Sequence, residues 1–167
     1  AFDMARKNGG VAIADEVQTG FCRTGDSYWG FQDEIHDGAV PDMITFGKGI
    51  GNGIGILGGV IARRSIGEAF ATRMWFNTYA SNPVASAAGR AVLSVIDKDK
   101  LRENCQKQGR LFNKRLNEAC QKYPQVLAEI RGKGLFQGLQ VTGKTKELST
   151  VHALEMHKRM RMLGVVL

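Results

Sequence analysis

Two residues of the sequence have side chains suited to covalent and acid–base chemistry, and each follows a short apolar run. Lys48 stands between two glycines directly after Met43–Phe46. An amine in this position can form a Schiff base, because glycine on both sides lets a planar cofactor approach the backbone closely. Asp15 follows the run Val11–Ala14. A carboxylate there can hold a ring nitrogen in its protonated form, which makes the ring an electron sink.

Each residue also has an ordinary interpretation. A lysine without further context is most often a solvated side chain of a surface loop, as Lys48 would be if it stood alone. An aspartate at the end of a strand, such as Asp15, is often only a helix cap or an acceptor in a turn. The chemical interpretation therefore depends on the two residues occurring together.

The runs before these residues predict strands of one sheet. Val11–Ala14 is typical of a parallel strand covered on both faces, and Met43–Phe46 and Gly58–Ala62 are of the same kind. In open α/β sheets, ligands bind outside the carboxyl ends of the strands. The pattern therefore places Asp15 and Lys48 where a site would be built.

The second half of the chain reads as helices with one strand. Asn82-Pro83 predicts the start of an Ala-rich helix that runs to about Ile96, since Asn caps helices well and Pro suits the first helical position. A longer amphipathic helix follows from Leu101, then a strand at Leu135–Val141. We expect a last helix at Ser149–Leu163, capped by Ser149 or Thr150.

The glycine-rich, buried character of the sequence ends at about Asp97. We therefore predict two domains, with residues 1–97 in a large sheet domain and residues 98–167 in a linking helix and a smaller helix–strand domain. The first and last residues stand inside element patterns, so we expect the chain to be part of a longer one.

Composition excludes several functional classes. The net charge is +7, but Lys and Arg are scattered rather than clustered with aromatic residues, so no nucleic-acid partner is predicted. No apolar run approaches the ~20 residues that span a bilayer, so membrane insertion is not expected. The three cysteines are widely spaced and His152 and His157 do not share a helix face, so no metal site is expected.

One motif points to a different class of protein. Gly138–Thr145 satisfies the G-x-x-x-x-G-K-[ST] pattern of nucleotide-binding loops, and Val11–Glu16 resembles the acidic strand that accompanies it. However, Leu139–Val141 continues a strand pattern where a phosphate loop is needed, and the two motifs stand in reversed order. We interpret the match as accidental and predict that Lys144 lies in an exposed turn.

Several longer motifs carry a family resemblance: I-A-D-E-V-Q-T-G-F-x-R-T-G at Ile13–Gly25, W-G-F-Q at Trp29–Gln32, V-P-D-M-I-T-F-G-K-G-I-G-N-G at Val40–Gly53, and F-N-T at Phe76–Thr78. Together they resemble the class III pyridoxal-phosphate-dependent aminotransferases, nearest to the alanine-glyoxylate aminotransferase 2 type. The resemblance covers nearly the whole chain. It implies the α/β architecture of fold type I, as part of the large cofactor-binding sheet domain and the start of the small C-terminal domain.

The resemblance also implies roles for particular residues. Lys48 would bind pyridoxal 5'-phosphate covalently, and Asp15 would pair with its ring nitrogen. Val17 would pack on the ring face, and Gln18 would contact the ring hydroxyl. Thr78 would reach across the interface of a homodimer to the phosphate held by the neighbouring subunit.

The implied function is transamination between an amino acid and a 2-oxo acid such as glyoxylate or pyruvate, in mitochondria. Family parts that bind the phosphate and the substrate carboxylate are missing here, so we expect the 167-residue chain alone to be inactive or to need partner chains. An inactive structural subunit and phospho-lyase chemistry remain alternatives.

Three positions depart from the family pattern. Cys22 replaces a small residue, the stretch Asp33–Ala39 is slightly expanded, and Tyr79-Ala80-Ser81 replaces a commoner F-G-G. Ala80 in place of glycine puts the backbone near Thr78 in question.

Overall fold

The computed structural model describes residues 2–33 and 40–166. It divides into two compact units, one reaching to Gln106 and the other starting at Lys107. The predicted domain boundary after Asp97 stays a prediction. The expanded stretch at Asp33–Ala39 lies, except for Asp33, outside the described residues.

The first unit contains a sheet of three short strands. They are β1 (Ile13–Asp15), β2 (Met43–Phe46) and β3 (Gly59–Ala62), in the order β1-β2-β3. Strands β1 and β2 are parallel, as predicted, and Asp15 pairs with Thr45. Asp15 and Lys48 therefore follow the carboxyl ends of neighbouring parallel strands.

One expectation about this sheet is wrong, and another is not met within the described residues. Strand β3 is antiparallel to β2: residues 47–58, which connect them, contain a short 3₁₀ turn and not the helix that usually crosses between parallel strands. Strand β1 is covered on only one face by the described residues: Ala12 and Ala14 are buried, whereas Ile13 is 54% exposed. Successive side chains of a strand point to opposite faces, so Ile13 lies on the open one.

The amino-terminal ends of β1 and β2 are fixed by one buried carboxylate. Asp42, at the start of β2, accepts a hydrogen bond of 2.8 Å from the Ala12 backbone N–H. It also forms ion pairs with Arg6 and Arg63, at 3.1 and 2.9 Å. Arg6 belongs to helix α1 (Phe2–Lys7), which is thereby joined to both strands.

Three further helices begin in this unit: α2 (Arg64–Ala71), α3 (Pro83–Lys98) and α4 (Leu101–Lys122). Helix α2 was not predicted. Helix α3 begins as expected, because the Asn82 side chain accepts hydrogen bonds from the backbone N–H groups of Val84 and Ala85 at 2.9 and 3.2 Å. It ends two residues beyond the predicted Ile96, at Lys98.

The second unit contains a hairpin of β4 (Leu127–Lys133) and β5 (Phe136–Val141), the remainder of α4, and α5 (Lys146–Met162). Strand β4 was not predicted. Within the unit, the Gln137 side chain donates to the carbonyl oxygens of Gly109 and Gly134, at 3.0 and 2.7 Å. This side chain joins α4 to the hairpin turn.

The structure decides the prediction about the cap of the last helix and the prediction about the nucleotide-binding pattern before it. Its cap is Thr145, whose Oγ1 accepts from the Leu148 N–H at 3.2 Å, so the predicted caps are wrong. Ser149 and Thr150 lie inside the helix and donate to carbonyl oxygens four residues back. The stretch before Thr142 is strand β5, as expected, so the nucleotide-binding pattern does not form a phosphate loop.

The described residues also bear on the excluded classes. No helix in residues 2–33 and 40–166 is long and apolar enough to cross a membrane. Within the same residues, no group of three or more His, Cys, Asp or Glu side chains could hold a metal ion. The three cysteines are free thiols, of which Cys22 and Cys105 are buried.

Candidate active site

The carboxylate of Asp15 is held in place through one of its two oxygens. Oδ1 accepts a hydrogen bond of 3.1 Å from the Val17 N–H and one of 3.2 Å from the Thr45 hydroxyl. Both donors come from the strand ends themselves, which fixes the plane of the carboxylate. Among the described residues Oδ2 receives no hydrogen bond, so it can accept one from a ligand.

Lys48 follows β2 and opens a short 3₁₀ turn, Lys48–Ile50. Its φ is +45°, a conformation that is uncommon for a residue with a side chain. Such strained backbone is concentrated at functional sites, where the surroundings hold it in place. The residue is exposed, so its amine is accessible.

The glycines beside Lys48 leave open space in the described structure. A Cβ at Gly49 would have no atom within 4 Å, and one at Gly47 would come no closer than 3.9 Å to its neighbours. Packing within the described chain therefore does not require glycine here. The described structure therefore leaves space against the backbone on both sides of Lys48.

Val17 borders this space, and Gln18 follows it in the chain. The two Val17 methyl carbons are the side-chain atoms 3.9 Å from a Cβ built on Gly47, so Val17 borders the backbone next to Lys48. Gln18 is exposed in the turn that follows. The cofactor contacts predicted for Val17 and Gln18 stay predictions.

Thr78 comes later in the chain than these residues, in an exposed turn between α2 and α3. Asn77 builds the turn: its side-chain Oδ1 accepts from the Tyr79 N–H at 2.9 Å, and its carbonyl oxygen accepts from the Ala80 N–H at 3.1 Å. Within the described chain, no hydrogen bond joins Thr78 to Asp15 or Lys48.

Sequence reasoning missed a third residue at the site, Glu16. Its side chain is only 2% exposed, although it directly follows the exposed Asp15. Its carboxylate accepts from the Thr19 hydroxyl at 2.8 Å and from the backbone N–H groups of Gly30 and Phe31, both at 2.7 Å. Strand alternation was the available signal, since residue 16 must point away from the face of residue 15.

These bonds close a loop, residues 16–31, which we call the Glu16 loop. Its rings pack on one another and on the end of β2: Phe21 lies 5.2 Å from Trp29 and 5.8 Å from Phe46, centroid to centroid. Trp29 lies 6.2 Å from Phe46. The loop therefore connects the end of β1 with the residue two positions before Lys48.

The amino-acid sequence matches a family model described as "Aminotransferase class-III" over residues 1–167. The chain belongs to the class III aminotransferases. Proteins of this family depend on pyridoxal phosphate and adopt fold type I, so the resemblance and the fold class predicted from the motifs are confirmed.

Relatives with assigned names agree with this family. The mitochondrial alanine-glyoxylate aminotransferase 2 homolog 2 of Arabidopsis thaliana is 41% identical over 169 residues, which is 100% of this chain and 34% of the relative. This chain thus spans about a third of the length of that relative.

Solved structures of the family share the fold. A taurine:2-oxoglutarate aminotransferase from Bifidobacterium kashiwanohense, in complex with PLP and glutamate, superposes with a TM-score of 0.84 at 25% identity. A phospholyase from Arthrobacter, in complex with phosphoethanolamine, superposes with a TM-score of 0.81 at 34% identity. The matches cover 98% and 96% of this chain, respectively, and 38% of each of those chains.

Proposed function

We propose that this chain supplies the covalent and ring-binding residues of an aminotransferase that moves an amino group between an amino acid and a 2-oxo acid such as glyoxylate or pyruvate. The observation that supports this most is the parallel register of β1 and β2, which aligns Asp15 with Thr45, three residues before Lys48. Family membership supplies the reaction class. The relative named alanine-glyoxylate aminotransferase supports this choice of substrates.

Each side chain has a defined task in this proposal. Pyridoxal phosphate, when bound, supplies a ring that accepts electron density from the substrate carbon. The Lys48 amine would hold the cofactor covalently and, as a free amine, would move a proton at the substrate carbon. Asp15 keeps the ring nitrogen protonated through Oδ2, while Val17 and Gln18 orient the ring.

A second copy of the protein would contribute one further residue, Thr78, to the site. The segment before and around Thr78 exposes large apolar side chains: Met74 is 99% exposed, Phe76 81% and Tyr79 88%. Exposed apolar patches of this kind mark surfaces that associate with other proteins. We propose a homodimer in which this segment carries Thr78 to the cofactor phosphate of the partner subunit.

Two finer parts of the proposal rest on relatives alone. The relative from Arabidopsis is named mitochondrial, and we propose the same compartment for this protein. The Arthrobacter phospholyase supports a second reaction on the same residues, elimination of phosphate from an amino-alcohol phosphate. Supplying alanine with glyoxylate, or phosphoethanolamine alone, to the complete gene product distinguishes the two reactions.

The covalent role of Lys48 is tested by trapping the cofactor with borohydride and mapping the labelled peptide. We expect the label on Lys48, and loss of label and activity in Lys48→Ala. Lys133 is the matched control, because it also lies between glycines but ends a strand in the second unit. A label on Lys133, or an unlabelled Lys48 in an active protein, would contradict the assignment. Intact cofactor binding without any transfer or elimination would favour an inactive structural subunit.

A further inference from the structure

Glu16 is a buried carboxylate that the proposed mechanism does not use. It is 2% exposed and its two oxygens face three donors at 2.7–2.8 Å. A buried carboxylate is costly unless its oxygens are hydrogen-bonded, and here every bond goes to the Glu16 loop. The residue therefore organises the loop that follows β1.

The burial of Glu16 also fixes the direction of its two neighbours. Its backbone N–H donates to the Thr45 carbonyl oxygen at 2.9 Å, so residue 16 continues the pairing with β2. In extended backbone, side chains alternate between faces. With Glu16 turned inward, Asp15, the last residue of β1, is turned to the other side. Val17 begins the turn that follows, and its methyl carbons lie 3.9 Å from a Cβ built on Gly47, next to Lys48.

The loop is packed too tightly to adjust easily. A Cβ on Gly30 would lie 2.6 Å from Thr19 Cβ, and one on Gly20 would lie 2.8 Å from a Trp29 ring carbon. Phe21 and Cys22 both have positive φ, at 59° and 66°, which non-glycine residues adopt only when the surroundings hold them.

We propose that Glu16 is a positioning residue of the cofactor site: its buried carboxylate holds the Glu16 loop against β2, and so sets the ring-binding groups Asp15 and Val17 relative to Lys48. This inference rests on the proposed function. It adds a residue that touches neither cofactor nor substrate. The contact between the loop and Phe46 carries the effect to the Lys48 side of the site.

Glu16→Gln tests the proposal, because the amide nitrogen, whichever oxygen it replaces, faces a backbone N–H donor, that of Gly30 or that of Phe31, and that hydrogen bond is lost. Asp42→Asn is the matched control: Asp42 is also a buried carboxylate that accepts from a backbone N–H, but it lies at the amino-terminal ends of the same strands. Both changes lower stability. Only Glu16→Gln is expected to disturb the bound cofactor.

The measurements are made on the complete gene product loaded with pyridoxal phosphate. The first is circular dichroism in the cofactor's absorption band, which arises only from the asymmetric surroundings of the ring. The second is the rate of cofactor release. For Glu16→Gln we expect an altered band and release faster by roughly tenfold, the effect of one buried hydrogen bond left unmade. Asp42→Asn should match the wild type in both.

Borohydride trapping separates this inference from the proposed function. If Lys48 carries the label in the wild type but both measurements are unchanged in Glu16→Gln, Glu16 is not a positioning residue and the function stands. If Lys48 is not labelled in the wild type, the proposed function fails first. Should Glu16→Gln fail to fold, Thr19→Val removes a single donor to the carboxylate. The band of Thr19→Val should then differ from that of the wild type, and an unchanged band would overturn the proposal.

Discussion

Replacing Asp15 with Asn changes one atom of the site in a way that the structure defines. The amide oxygen can keep the place of Oδ1, because the Val17 N–H and the Thr45 hydroxyl both need an acceptor there. The amide nitrogen then takes the place of Oδ2, where the ring N–H of the cofactor needs an acceptor. The variant should fold normally, since Asp15 is exposed and its two hydrogen bonds are retained.

The expected loss follows from that single contact. A hydrogen bond to a charged group contributes about 1.5–3 kcal/mol. With roughly 1.36 kcal/mol for each factor of ten, the proton-transfer step should slow by about 10- to 150-fold in Asp15→Asn. The cofactor itself should stay attached, because its covalent bond to Lys48 is unchanged.

Single-turnover kinetics measure this step, and Thr45→Val is the matched control. That variant removes one of the two donors to Oδ1 but leaves the charged carboxylate, so a loss of about 2- to 10-fold is expected. An unaltered rate in Asp15→Asn would remove Asp15 from the mechanism. A larger loss in Thr45→Val than in Asp15→Asn would show that the hydroxyl, rather than the charge, carries the effect.

Three further predictions concern other parts of the chain. The Ala12 N–H, with the Arg6 and Arg63 guanidinium groups, holds the pKa of Asp42 below its ordinary value of 3.8, so this carboxylate stabilises the fold above that pH. The stability difference between wild type and Asp42→Asn in urea titrations should therefore be largest at neutral pH. It should disappear as the pH falls below 3.8 and then below the lowered pKa of Asp42 in the folded protein, where the carboxylate is protonated in both states. Asn82→Ala should lower the free energy of unfolding by about 1 kcal/mol, measured by the same titrations, because two N–H groups of α3 lose their acceptor. Lys144→Ala should leave transamination unchanged, and calorimetry should find no ATP binding; magnesium-dependent binding that the variant abolishes would contradict the exclusion of a nucleotide site.

The strands that carry Asp15 and Lys48 could be predicted because their signals are local. An apolar run that ends at a charged residue or a glycine predicts a strand and its end, and the structure has β1 and β2 there. Strand β4 gave no such signal, since Glu129 and Arg131 interrupt its apolar residues. It exists because it pairs with β5, and pairing between strands is not visible in the composition of one of them.

The start of α5 shows a signal that was present but outweighed. Thr145 is followed by Glu147 in the first turn, and an acidic residue there favours a helix N-terminus. The pKa of Glu147 is lowered by its own backbone N–H and by Thr145, which is the interaction expected at such an end. Ser149 and Thr150 offered equally good capping side chains a few residues later, and sequence alone does not rank such candidates.

The turn that carries Thr78 explains why one departure from the family pattern is tolerated. Ala80 stands where glycine is common, but it is not among the described residues with positive φ. The left-handed position is the next one, Ser81, with φ of +59°. This conformation costs a serine about 1–2 kcal/mol. The hydrogen bonds of Asn77 before it and the Asn82 cap after it hold the chain there. The strain therefore lies at the end of the turn, directly before the Asn82 cap of α3, and Thr78 is not among the described residues with positive φ.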